Sequence, residues 1–246
     1  MTATATLTST ATTTSGRSSG DRLAGICALL SAPIGFLSLI AVLAAADWDA
    51  EIFDTPTTLL AQGSSAADGV RWAMVLDLIG YYALMVPALL ALRALLTPRR
   101  PDIARLSATS GLAYLITGAV GAVVLAVTWP LALEQIGGAD PAQAAGITAS
   151  FEAITEAVVS GLWNLFGSAA AAVWLLVTAR LVWPDRRGFA VLSVVVGAAG
   201  AIDALSVAAD VEAEGAVALQ VYLYGLLVWA AWLGTLLLRG GLAEGD

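Results

Sequence analysis

The chain contains no lysine and no histidine. Without lysine there is no Schiff base to retinal or to pyridoxal phosphate. Without histidine there is no imidazole ligand for haem, copper or zinc, and no imidazole base. A single cysteine, Cys27, can neither close an internal disulfide nor build a thiolate metal cage. Charge is scarce too, at 12% of residues, against about 25% in soluble domains. No phosphate loop is present: "GAVGAV" (118–123) sits inside an apolar run, not after a strand. Asp47, Asp49 and Glu51 form an acidic loop, which alone is weak evidence for a cation site. No cofactor, no metal and no nucleic-acid partner is expected. Proton chemistry falls to Asp, Glu, Tyr or Arg.

What remains is apolar. The 246 residues are 59% hydrophobic, with a mean hydropathy of +0.85 and a net charge of −8. Residues 1–20, "MTATATLTSTATTTSGRSSG", are rich in Thr, Ser and Ala without apolar periodicity. Such a stretch buries too little surface to offset its ordering entropy, which predicts a disordered tail. The apolar run after Arg22 ends "AVLAAADW" and has the outline of a signal peptide. At about 24 residues it exceeds an h-region of about 7–15, so it reads as a retained span.

Six runs are long enough to cross about 30 Å of hydrocarbon. They lie near 23–46, 71–96, 104–129, 152–182, 189–209 and 217–238. A membrane helix satisfies its own backbone groups, and these runs show no strand alternation. The expected fold is all-α: a polytopic bundle of six transmembrane helices over 21–240, with a short tail at 241–246. Pro33 and Pro87 read as the only prolines within spans.

Arginine sets the orientation. Arg17, Arg22, Arg93, Arg99, Arg100, Arg105, Arg180, Arg186, Arg187 and Arg239 all fall on one side, and only Arg71 on the other. Arginine-rich short loops stay in the cytoplasm, so both termini are expected there and the membrane is expected to be a bacterial plasma membrane. The outer connectors 47–70, 130–151 and 210–216 carry the acids, which disfavours anionic substrates arriving from that side. One internal echo stands out: "LLALRALLTPRRP" (89–101) resembles "LLVTARLVWPDRRG" (175–188). Either the two hairpins share an origin or inner turns simply favour Pro and Arg.

Polar residues gather in the outer halves of the spans. Residues at i, i+3, i+4 and i+7 share a helix face. Span two carries Asp77 and Tyr81; span four carries Glu152, Glu156, Ser160 and Asn164 with Trp163 beside them; span five carries Asp203, Ser206 and Asp210; span six carries Gln220 and Tyr224. An acid in the middle of an isolated membrane helix costs about 3 kcal/mol, so it faces protein or a wet cavity. Asp203 lies about 9 Å below the outer end of its span and is expected to face a cavity shared with spans two, four and six. The plainer readings are interfacial carboxylates for Glu152, Glu156 and Asp210, and packing roles for Tyr81, Tyr82, Trp163 and Trp229. Trp48, Trp72, Trp129 and Trp183 read as an interfacial aromatic belt. Gly118, Gly121, Gly197 and Gly200 read as points of close helix approach.

"DLIGYYALMVPALLALRALL" (77–96), "GLWNLFGSAAAAVWLLVTARLVWP" (161–184) and "FAVLSVVVGAAGAID" (189–203) resemble six-span bacterial membrane proteins, common in actinobacteria, grouped as a domain of unknown function. That resemblance implies a six-helix bundle and no chemistry. In size and in its intramembrane acids the chain is also similar to small integral membrane terpene cyclases, which need no metal and have seven spans against the six counted here.

Three functions fit. A carboxylic acid in an apolar site keeps its proton and can protonate an alkene or epoxide of a lipid-soluble isoprenoid, with aromatic faces stabilising the cation. In that enzyme, a cyclase or isomerase, Asp203 is the donor and Asp77 its partner. Tyr81, Glu156, Trp163, Asn164, Ser206, Gln220, Tyr224 and Trp229 contact the substrate. In a proton- or cation-coupled transporter the same acids form a relay; the lack of a Gly/Pro break in spans four to six speaks against it. In a non-catalytic subunit or sensor the acids set helix pairing. Membrane lipid and a hydrophobic small molecule are the expected partners, and an oligomer is compatible with the sequence.

Overall fold

The computed structural model describes residues 19–53 and 55–241. The described residues contain helices and turns and no strand. Six helices are long and apolar enough to cross a membrane: α1 (Ser19–Ala45), α2 (Ser64–Leu96), α3 (Pro101–Ile136), α4 (Pro141–Val182), α5 (Arg187–Ala209) and α6 (Glu212–Arg239, of which Val217–Arg239 is the apolar span). The protein is a multi-pass membrane protein. Most of the expected tail lies outside the described residues; Ser19 and Gly20 already belong to α1. Of the tail expected at 241–246, Gly241 is in a turn and the rest is outside the described residues.

Each helix packs on its neighbours in the chain, and α6 closes back on α1, so the six form a ring. One end of the ring gathers the connectors rich in arginine; the other gathers the acidic ones. Lipid-facing side chains such as Leu23, Phe36, Ile116 and Leu205 stand exposed around the outside. An apolar surface this wide fits a lipid surround and not water.

Four helices run further at the acid-rich end than their apolar runs predict. Helix α2 starts at Ser64, α3 ends at Ile136, α4 starts at Pro141 and α6 starts at Glu212. Asp140 explains the start of α4: its side chain accepts from the Ala142 and Gln143 amides at 2.9 Å, and Gln143 Oε1 accepts from the Asp140 amide. This capping box closes a helix start that hydropathy does not register. Helix α3 passes through Pro130, so Pro33 and Pro87 are not the only prolines inside spans. Arg71, the lone arginine at this end, pairs with Asp68 at 2.9 Å and Glu134 at 3.3 Å, tying α2 to α3.

Two helices are not α-helical throughout. Leu78–Ala83 in α2 and Ala157–Gly167 in α4 wind as π-helix. A π segment widens the turn and leaves carbonyls without their regular partner. Ser31 of α1 donates to a carbonyl of the first segment, Gly80 O, at 2.6 Å. There α1 and α2 come into backbone contact: a Cβ on Gly80 would stand 2.3 Å from Gly35 N. Gly197 and Gly200 likewise face the α4 backbone closely. Gly118 and Gly121 do something else: they make room for the rings of Tyr82 and Trp163.

The interior has two apolar clusters. The one toward the Arg-rich end is built on Leu92, Leu96, Trp174, Phe189, Trp229 and Leu233. The one toward the acid-rich end is built on Leu59, Val70, Leu125, Trp129, Leu133 and Phe151. A train of rings runs through the first: Tyr81, Tyr82, Tyr114, Trp174, Trp229 and Phe189, each 5.0 to 6.2 Å from the next. Such spacings suit tilted and edge-on aromatic packing.

Candidate functional site: a carboxyl and tyrosine cavity between the π segments

Between the two clusters lies a cavity of about 180 Å³. Its walls come from all helices except α5: Ser38 and Val42 of α1, Asp77, Tyr81 and Tyr82 of α2, Tyr114 and Trp129 of α3, Trp163 and Asn164 of α4, and Gln220 and Tyr222 of α6. Both π segments contribute, Tyr81 and Tyr82 from one and Trp163 and Asn164 from the other. The connector between α1 and α2 caps the acid-rich end. It leaves α1 through two successive left-handed residues, Asp47 and Trp48, and forms two short 3₁₀ turns, Ala50–Phe53 and Pro56–Gln62. Ile52, Leu59 and Leu60 are buried beneath it, and Ile52 and Pro56 touch the cavity.

The polar atoms of the cavity are its main feature. Asp77 Oδ2 and Tyr81 Oη are buried and hydrogen-bonded to nothing among the described residues; Tyr222 Oη, also buried, has the Tyr114 and Ser168 hydroxyls beside it. Buried polar atoms are nearly always paired, because an unpaired one forfeits about 1–3 kcal/mol of solvation. Two orphans on one cavity, one turn apart on α2, mark a place where something else completes the bonding. The neighbouring indoles are satisfied: Trp163 Nε1 donates to Gly118 O at 3.2 Å and Trp129 Nε1 to Thr155 Oγ1 at 2.8 Å. They offer ring faces and no free donor. Among the described residues no arginine lines the cavity.

Five of the expected site residues meet here: Asp77, Tyr81, Trp163, Asn164 and Gln220. Five do not. Asp203 is buried in α5 and turned to α4, where Ser168 Oγ donates to its Oδ2 at 2.7 Å; it does not line the cavity. Ser206 is buried on the same helix, also away from it. Glu156 is exposed, as is Glu152. The four-residue stripe fails because the π segment starting at Ala157 changes the register between Glu156 and Asn164. Tyr224 is exposed, since its neighbour Tyr222 takes the inward position. Trp229 is fully buried against Trp174, donating to Ser193 Oγ at 2.7 Å. Trp129, expected in the belt, is 6% exposed and stacks on Phe151 at 5.6 Å; Trp48 and Trp72 are exposed as a belt requires.

Tyr82, Tyr114 and Tyr222 went unread as a set. Tyr82 beside Tyr81 reads as packing, Tyr114 stands alone in an apolar run, and Tyr222 stands beside Tyr224 with nothing in the sequence to say which turns inward. The one available signal is a glycine four residues from Tyr114, Gly118, whose missing side chain admits the Tyr82 ring.

No curated protein and no solved structure matches the chain. The family model of a domain of unknown function (DUF4386) matches residues 23–240. With nearly the whole membrane domain inside that match, the chain belongs to the DUF4386 family.

Proposed function

We propose that the protein is a membrane-embedded cyclase or isomerase that acts on a lipid-soluble isoprenoid by protonating it, with Asp77 as the acid. The observation that carries this reading is the pair of unpartnered oxygens, Asp77 Oδ2 and Tyr81 Oη, on a mainly aromatic and aliphatic cavity. The acid assigned is Asp77 and not Asp203, because Asp77 reaches the cavity.

The step balances without a redox partner. The Asp77 O–H bond breaks as its hydrogen bonds to one carbon of an alkene, or to the oxygen of an epoxide, leaving a tertiary cation. The faces of Trp163, Trp129 and Tyr82 stabilise that cation. Ring closure or migration follows, and an adjacent carbon returns a proton to the Asp77 carboxylate. Substrate and product have the same mass. Tyr81 and Tyr222 bind a hydroxyl or epoxide oxygen. The absence of arginine from the wall favours protonation over ionisation of a diphosphate. Arginine at one end and acids at the other fit cytoplasmic termini in a bacterial plasma membrane.

A second reading, a proton- or cation-coupled transporter, draws on the paired π segments, which interrupt two helices beside the cavity as broken helices do in carriers. A non-catalytic subunit or sensor is the third. One experiment separates them: untargeted mass spectrometry on a host expressing wild type or Asp77→Asn, supplied with lipid-soluble precursors, with membranes and medium analysed apart. A membrane species of unchanged mass and altered retention, absent from the variant, supports the enzyme. A known compound moving between cells and medium supports transport. No difference in either fraction leaves the subunit reading.

A further inference from the structure

The Arg-rich end has a surface feature of its own, which shares no lining residue with the cavity. A groove of about 820 Å³ opens on the outside of the ring between the α2–α3 turn, the end of α4 and the side of α5. Its rim holds Arg99, Arg100 and Arg180, with Trp183 and Asp185 from the α4–α5 connector. Its floor is Ile103, Leu176, Ala179 and Val194.

The charges are not equivalent. Arg99 is committed: it pairs with Asp185 and donates to Leu181 O at 3.1 Å, clamping one turn to the other. Arg100 and Arg180 are exposed and pair with no carboxylate among the described residues. Asp185 is answered by Arg99, so the rim has two cations left over. Below them the wall is apolar and open: Leu176 is 38% and Val194 39% exposed, and Trp183 45%. The same groove is therefore basic at the level of the connectors and greasy toward the middle of the span.

We propose that this groove binds the anionic headgroup of a membrane phospholipid, with the phosphate held by Arg100 and Arg180 and an acyl chain lying along Leu176 and Val194. Guanidinium forks match phosphate oxygens two at a time. A basic pocket between transmembrane helices at the headgroup level is the arrangement that takes anionic lipid. The apolar wall beneath the arginines distinguishes a lipid from a free phosphate, which needs no such wall. Trp183 at the rim sits where indoles prefer the interface. The two turns that border the groove are the two halves of the sequence echo, "TPRRP" and "WPDRR"; the first gives it Arg99 and Arg100, while the second gives it Trp183 and Asp185 and not its arginines.

The test is native mass spectrometry of the full chain in an uncharged detergent, titrated in turn with phosphatidylglycerol, phosphatidylcholine and inorganic phosphate. Wild type should retain one phosphatidylglycerol in preference to phosphatidylcholine. Arg100→Gln/Arg180→Gln should weaken that retention about 30-fold, taking about 1 kcal/mol per arginine at a charged surface. Arg71→Gln, at the opposite end, should leave it unchanged. Circular dichroism and gel filtration establish that each variant is folded. Equal retention of both lipids by wild type, or unaltered retention by the double variant, overturns the site. Displacement of the lipid by millimolar inorganic phosphate overturns the lipid as its ligand.

Discussion

Ser168 gives its hydroxyl hydrogen to Asp203 at 2.7 Å, deep between α4 and α5. That bond occupies one oxygen of Asp203 on the α4 side, away from the cavity wall, and it predicts a structural part for this acid. Asp203→Asn keeps an acceptor oxygen for Ser168 and should leave turnover intact. Asp203→Ala removes the acceptor and opens a hole. It should cost about 1–3 kcal/mol, read as a lower midpoint in thermal unfolding in detergent. Loss of turnover in a fully folded Asp203→Asn would return the donor role to Asp203.

The orphan hydroxyl of Tyr81 predicts a trade between stability and function. Tyr81 Oη is buried without a partner among the described residues. Removing the oxygen removes an unmet desolvation cost. Tyr81→Phe should therefore stabilise the empty protein by about 1 kcal/mol, read as a higher thermal midpoint, while lowering turnover. Tyr222 Oη has the Tyr114 and Ser168 hydroxyls beside it, so Tyr222→Phe should not stabilise. If Tyr81→Phe destabilises the protein, that hydroxyl has a partner within the fold and is not reserved for a ligand.

Glycine substitutions should have effects that follow their surroundings. A Cβ on Gly80 meets the α1 backbone, 2.3 Å from Gly35 N and 2.7 Å from Gly35 Cα. Neither atom can turn aside, so Gly80→Ala should cost 3 kcal/mol or more, roughly, at the upper end of overpacking, and folded protein should be scarce. A Cβ on Gly118 meets a ring, Tyr82 Cε1, at 1.9 Å. That ring can swing away, so Gly118→Ala should fold at lower stability and lose turnover because Tyr82 leaves its place. Gly146, in α4 with nothing within 4 Å, is the control. Gly146→Ala should be neutral or stabilising by up to about 1 kcal/mol from helix propensity. Thermal scanning of the three variants together checks the order.

Ser31→Ala tests what holds the shorter π segment. It removes the hydroxyl that donates to Gly80 O at 2.6 Å. The loss should be about 1 kcal/mol. Amide hydrogen exchange should quicken in 78–83 before the rest of α2. Uniform exchange along α2 would mean that Ser31 plays no local part.

How much of this was legible follows from the physics of each signal. Hydropathy over about 20 residues registers a span, so all six were found. It registers nothing of the capping box at Asp140, which is why the polar first turns of α4 read as connector. Spacing put Asp77 and Tyr81 together, and the cavity receives both. The same rule assigned Glu156 to the face of Asn164. It failed there because periodicity assumes one residue every 100°, and the π segment between them does not keep that step. Asp203 was read as a cavity acid because its sequence shows only an acid in an apolar run; its partner, Ser168, lies on another helix 35 residues away. Tyr222 and Tyr224 are two residues apart on one helix, and only packing decides that the first turns inward.

The π segments also bear on how such a chain tolerates changes in length. Losing one residue from an ordinary stretch of α-helix rotates everything beyond it by about 100°, which would swing a cavity wall into lipid. A wide-wound segment holds surplus residues and can absorb the loss by tightening. Single-residue deletions in α2 and α4 should therefore be tolerated within Leu78–Ala83 and Ala157–Gly167, beside the cavity, and rejected in the regular helix on either side.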